Sequence, residues 1–217
     1  MLIQYLADDP RYFFAVVIVV VISICLHELA HGIVAIWLGD DTPIVAGHMT
    51  LNPMVHMGPF SIVALLLVGI AWGAMPVDRT RLRGKYAEAL VAAAGPFANV
   101  LIALVSLTAL GLWLRFGADS AAEPTEAAEN ARFLLTIFGV FNILLALFNL
   151  IPLPPLDGSR ILANFSQWYD DQMTMLMSYS AGGLMLITLL VFTTVGRFLY
   201  PLAAELALNY LQFVNGV

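Results

Sequence analysis

His27-Glu28-Leu29-Ala30-His31 is the densest run of chemistry-bearing side chains in this 217-residue sequence. Histidines four positions apart share one helical face, so both imidazoles can bind a single metal ion. Glu28 projects about 100° around the helix from His27, close enough to reach a water on that metal without being a ligand itself. Neutral imidazole suits Zn²⁺, which draws the pKa of a bound water towards 7. A nearby carboxylate can then take the proton as the water attacks a peptide carbonyl. In a soluble helix so short a pattern arises readily by accident. Here it sits in an apolar stretch, Tyr12 to Gly39, in which Glu28 is the only charged residue. Burying a carboxyl in lipid costs kilocalories per mole, so an intramembrane ionisable residue points to function by default.

A catalytic zinc keeps three protein ligands and one open position. The chain has four histidines, which leaves His48, His56 or a carboxylate as the third ligand. Asp157 is the best-placed carboxylate, because it follows a proline-rich break at the end of an apolar segment and Gly158 frees the backbone beside it. An N-cap for a helix starting at Ser159 explains Asp157 equally well.

The elements around these residues are those of a membrane protein. Hydrophobic residues make up 61% of the chain and charged residues 11%, against about 25% charged in soluble domains. At roughly 20 apolar residues per span there is room for about five or six hydrophobic segments and for no large extramembrane domain. The expected fold class is therefore an all-α polytopic membrane protein forming one domain over 1–217. The net charge of −6 offers no basic stripe for nucleic acid. The single cysteine, Cys25, excludes an internal disulfide and reads as a small buried hydrophobe. Asp8 and Asp9 stand where a cleavable leader would be basic, so the first apolar segment is expected to stay in the membrane.

Along the chain, Gly39-Asp40-Asp41-Thr42-Pro43 stops the first helix. Ile44 to His56 lacks a sustained helical period and reads as short extended segments around turns, a small membrane-associated β element. Phe60 to Met75 is apolar but short. Arg79, Arg81, Arg83 and Lys85 then place four basic residues in seven positions, the strongest cytoplasmic marker in the chain. Ala87 to Leu114 and Phe133 to Ile151 are spans joined by the polar loop Arg115 to Arg132. A short interfacial helix is expected at 159–171 and a further span from Met173 to Val195. Phe198 to Phe213, with Pro201 and Glu205, is either a kinked span or a surface segment.

Three segments together resemble the site-2 protease family of intramembrane zinc metalloproteases. They are HELAH in the first apolar helix, AAAGPFANVLIAL (Ala92–Leu104) and FNLIPLPPLDGSRIL (Phe148–Leu162). GHMTLNPMVHMGP (Gly47–Pro59) is similar to the compact subgroup that lacks PDZ and CBS domains. The likeness runs from about residue 20 to 165 within an expected core of about 12–165, and the hydrophobic segments over 173–214 add nothing specific to it. It implies that His27, His31 and Asp157 bind one Zn²⁺ per chain and that Glu28 is the general base. Asn149 would hold substrate backbone, with Asn52 and His56 as further substrate contacts, while Gly95, Pro96 and Asn99 would shape the helix packed on the site. The subgroup commonly has an aspartate two residues after the histidine matching His56, and Gly58 stands there instead. His56 itself reads either as a group approaching the metal or, by preference, as an interfacial residue that fixes its loop through a hydrogen bond.

The implied activity is hydrolysis of a peptide bond within or beside the transmembrane segment of a single-span membrane protein. Rival readings are a catalytically silent client-binding relative and a metal or proton transporter. With the basic loop in the cytoplasm, the motif residues lie towards that side only if Phe60–Met75 re-enters rather than crosses. Substrate must be extended to expose its peptide bonds, and Ile44–Leu51 is the expected strand edge for it. The absence of a transit peptide favours a prokaryotic plasma membrane.

Overall fold

The computed structural model describes residues 1–117, 125–179 and 181–216. It is all-helical, and no strand occurs among the described residues. Helix α1 (Pro10–Trp37) starts where Asp9 accepts a hydrogen bond from the Tyr12 amide at 3.0 Å and Pro10 presets the first turn. A run of β-branched residues is poor helix material in water. In lipid, however, a helix alone satisfies every backbone group within the segment. Phe14, Ile18, Ile22, Leu26, Ile33 and Trp37 are exposed along one side of α1, while Phe13, Val16, Val19, Val20 and Ile24 are buried on the other. That exposed apolar stripe is what a bilayer would cover.

Past a helical turn at Pro53–His56 come α2 (Gly58–Val68), α3 (Ala87–Phe116) and α4 (Glu126–Asn149). The chain continues through α5 (Asp157–Phe165), α6 (Gln167–Tyr179) and α7 (Ala181–Asn215). Among the described residues α1, α3 and α4 are long and apolar enough to cross a membrane. Helix α3 is central: it packs against α1, α4, α5 and α7. Gly139 lets α4 approach it, since a side chain there would run into Leu107. Leu107 and Val140 meet Ala203 and Ala207 of α7 in one cluster, and a second joins α1 to Leu2, Met57, Leu65 and Ile137.

Several expectations change. Ile44–Leu51 is not a strand: Thr42–Val45 forms a helical turn, with Pro43 at its start. A run without regular structure lies at residues 70–78, after Gly69 closes α2 in the left-handed conformation (φ 91°). The segments expected at Met173–Val195 and Phe198–Phe213 are divided differently, with α6 reaching Tyr179 and α7 continuing through Pro201. Of the loop expected at Arg115–Arg132, residues 118–124 lie outside the described residues, and 126–132 already belong to α4.

The end of α1 and the far end of this irregular run are clasped together. Asp40, 0% exposed, accepts hydrogen bonds from the Thr42 amide (3.0 Å), the Thr42 hydroxyl (2.5 Å) and the Asp78 amide (2.7 Å). The Arg83 amide donates to the Leu38 carbonyl at 2.8 Å, and Arg81 pairs with Asp41. Burial would push the Asp40 carboxyl up, but these donors outweigh it and hold it below the usual range. A carboxyl lowered by folding stabilises the fold above its ordinary pKa of about 3.9 and loses that contribution as pH falls through its own lower value. Wild-type protein in detergent should therefore lose thermal stability on acidification below that range. Asp40→Asn should already be less stable at neutral pH and show a flatter profile there, and an unchanged acid transition would count against the clasp.

Candidate metal centre

The i, i+4 spacing on α1 brings His27 and His31 together with their Nε2 atoms 3.0 Å apart, both residues buried. Asp157 arrives from the first position of α5. Its Oδ2 lies 3.1 Å from His27 Nε2 and its Oδ1 3.4 Å from His31 Nε2. It does not cap α5, whose N-cap position, Leu156, has no side-chain hydrogen bond. Gly158 permits this approach, because a side chain there would run into the carbonyls of Leu150 and Ile151.

The protons on the two imidazoles can be located from their other nitrogens. His31 Nδ1 lies 2.7 Å from the Val91 carbonyl oxygen, which can only accept, so Nδ1 carries the hydrogen. His27 Nδ1 lies 2.6 Å from Asn99 Oδ1, also an acceptor. In their neutral forms both rings therefore turn bare Nε2 lone pairs towards the Asp157 carboxylate. Asp157 Oδ2 is buried and makes no hydrogen bond. Ligand atoms of all three residues fall within 4.8 Å of one another. Tetrahedral zinc, with bonds of about 2.0–2.2 Å to nitrogen and oxygen, spaces its ligand atoms roughly 3.3 Å apart. The donor set fits that ion.

Helix α3 closes the other side. A Cβ at position 95 would fall onto the Nε2 atoms of both histidines, so Gly95 is the gap in α3 through which the donors meet. Pro96 follows, leaving the helical ladder one N–H short just beyond Val91. Glu28 is buried beside the pair, outside the metal-ligating group. Its carboxylate lies against the irregular run at 70–78, where a side chain on Gly73 would collide with it.

The remaining sequence candidates separate. His56 is 3% exposed; its Nε2 lies 2.6 Å from the Thr50 carbonyl of its own loop, while its Nδ1 is buried without a partner. Its carbonyl accepts from the Ala74 amide at 3.0 Å, which ties it to the irregular run beside Glu28. Asn52 is exposed and caps the Pro53–His56 turn by accepting from the Met54 amide. Asn149 donates to the Leu145 carbonyl of its own helix. No described contact joins Asn52 or Asn149 to the three donors. His48 contacts the Ala46 carbonyl in its loop, and Cys25 is buried and unpaired.

Two polar residues on the site's far side, Asn142 and Ser23, escaped the sequence reading. Asn99 Nδ2 donates to Asn142 Oδ1 at 2.8 Å, and Asn142 Nδ2 donates to Ser23 Oγ at 2.8 Å and to the Phe138 carbonyl at 2.9 Å. All three side chains are buried. The available signal was an asparagine in the middle of an apolar span, where a polar group needs partners. Gly95→Ala should keep the helical content and lose most of the bound metal, read by metal analysis of the purified protein. Full retention would show that α3 does not set the closeness of the donors.

The family model described as Peptidase family M50 matches residues 15–121 and 117–192. The chain is 38% identical over 148 residues to "Putative zinc metalloprotease YwhC" of Bacillus subtilis, covering 67% of this chain and 66% of that one. It is 28% identical over 199 residues to "Putative zinc metalloprotease Rip2" of Mycolicibacterium smegmatis, covering 83% and 68%. Against the Rip2 of Mycobacterium tuberculosis the identity is 30% over 147 residues, 65% of this chain and 53% of the relative. The chain thus spans about half to two thirds of the length of these relatives. No solved structure matches it. With the family model covering most of its length, the chain belongs to peptidase family M50, the site-2 protease family of membrane zinc metalloproteases, whose metal is Zn²⁺.

Proposed function

We propose that the chain, a single membrane domain over 1–217, is an intramembrane endopeptidase. In this reading His27, His31 and Asp157 hold one Zn²⁺, and Glu28 is the general base. The observation that carries it is the convergence of two imidazole nitrogens and the carboxyl of Asp157 next to a second buried carboxyl, that of Glu28. When bound, zinc supplies Lewis acidity, making water a nucleophile near neutral pH and polarising the scissile carbonyl. Glu28 takes a proton from the attacking water at its carboxylate and later gives one to the leaving amine. Packing against Gly73 fixes where that carboxylate can lie.

The substrate is a single-span membrane protein whose helix unwinds locally to expose a peptide bond. The run at 70–78, taken as extended in this reading, offers it an edge in place of Ile44–Leu51. Ser61 Oγ contacts the Trp72 carbonyl and amide (2.7 and 2.9 Å), and the Ala74 amide is taken by His56, so one side of the run is anchored. The amides of Gly73 and Met75, which alternate to the other side, have no partner among the described residues. A peptide paired there would lie beside Glu28. His56, Asn149 and Asn52 are assigned supporting roles in holding this strand and its loop.

The clasp supports a re-entrant path for α2. Eleven residues make a helix of about 16 Å, short of a roughly 30 Å hydrocarbon core. The chain leaves α1 at Asp40 and returns at Asp78, hydrogen-bonded to the place it left. With the basic loop in the cytoplasm, the centre faces that side of a prokaryotic plasma membrane.

Glu28→Gln should abolish cleavage of a single-span substrate while zinc stays bound, and His27→Ala should lose both; wild-type turnover by the Glu28→Gln variant would sink the protease reading. Cysteines placed at positions 41 and 79 should both react with a membrane-impermeant thiol reagent from the same face, whereas labelling from opposite faces would mean that α2 crosses.

A further inference from the structure

The polar chain behind His27 has a direction, and it starts from a backbone carbonyl. The Phe138 carbonyl can only accept, so the side of the Asn142 amide that faces it must be Nδ2. The second Nδ2 hydrogen goes to Ser23 Oγ. Asn142 therefore presents Oδ1 to Asn99, and the side of Asn99 that meets it must be Nδ2. Asn99 is left with Oδ1 towards His27, which can be met only by a protonated Nδ1. His31 receives the same instruction directly from the Val91 carbonyl. For His27 the instruction crosses from α4 to α1 through two buried side-chain amides.

We propose that Asn142 is a positioning residue which, through Asn99, fixes the neutral tautomer of His27 with the proton on Nδ1 and the Nε2 lone pair facing the metal centre. This rests on the reading of His27 as a zinc ligand. If either amide turned over, Asn99 would offer an N–H to His27 Nδ1. The proton would then sit on Nε2, where it blocks coordination. Asn142 is 0% exposed and lies in the middle of an apolar span, where a leucine would pack at no polar cost. Its retention there is explained by the direction it imposes. Orienting partners of metal-binding histidines carry about 10- to 100-fold in metal affinity.

The test uses the full chain purified in detergent, with two readouts other than turnover. One is zinc retention in competition with a chelator. The other is the nitrogen-15 shift of the His27 ring in metal-free protein, at a pH where the imidazoles are neutral. Wild type should show the proton on Nδ1. Asn142→Leu should weaken zinc binding about 10- to 100-fold and populate the Nε2 tautomer. Asn142→Asp keeps an acceptor towards Asn99 and should preserve the tautomer. Asn99→Asp presents only acceptors to His27, so adding Asn142→Leu to it should cost little further affinity. Equal losses from Asn142→Leu with and without the Asn99→Asp substitution would mean simple packing and would overturn the proposal. So would an Nε2 proton in wild type, a reading that needs no variant to fold. If wild type holds no zinc at all, the protease reading fails, while the ring shifts still decide whether Asn142 directs His27.

Discussion

Three electron-rich atoms without a proton between them repel one another at about 3 Å, and more strongly where water is excluded. The centre formed by His27, His31 and Asp157 is that arrangement, held from three directions by α1, α5 and α3. A cation among them would relieve that repulsion, and the surrounding fold can be understood as the scaffold that prevents the donors from moving apart. Helix α3 does most of this. It supplies the Val91 carbonyl to one imidazole and Asn99 to the other, and through Gly95 it supplies the absence of a side chain between them.

Around that centre the chain divides its labour by element. Rigid helices carry the donors, with the histidines on a regular helical face and Asp157 at the start of a short helix, where Gly158 lets the backbone come close. The irregular stretch at residues 70–78 runs past Glu28. Unpaired backbone in a membrane protein is tolerated where it is buried in protein or lines a polar cavity. Its two ends are fastened, at Gly69 by the close of α2 and at Asp78 by the Asp40 carboxylate.

The HELAH motif was legible because a helical period and an ion in an apolar run are both properties of local sequence. Asp157, far along the chain from His31, could be singled out by its proline-rich setting. Its choice over an N-cap came from the resemblance, and its carboxylate does face the histidines. Other features were hidden for physical reasons. A backbone carbonyl such as that of Val91 has no letter of its own. That the run at 70–78, and not Ile44–Leu51, is the segment held by Ser61 and His56 is tertiary information. The joining of two expected segments into α7 reflects a proline inside a helix, which sequence alone reads as a stop.

The amide pair Asn99 and Asn142 also bears on charge. Zinc enzymes often steady a ligand histidine with a further carboxylate. Here a divalent cation would meet Asp157 and Glu28, two negative groups against two positive charges, and the total is zero. A third acid at position 99 would leave one uncompensated charge in a medium that solvates ions poorly. Neutral dipoles placed end to end pass orientation across the protein without adding to that sum, which suits a reactive centre enclosed by hydrocarbon.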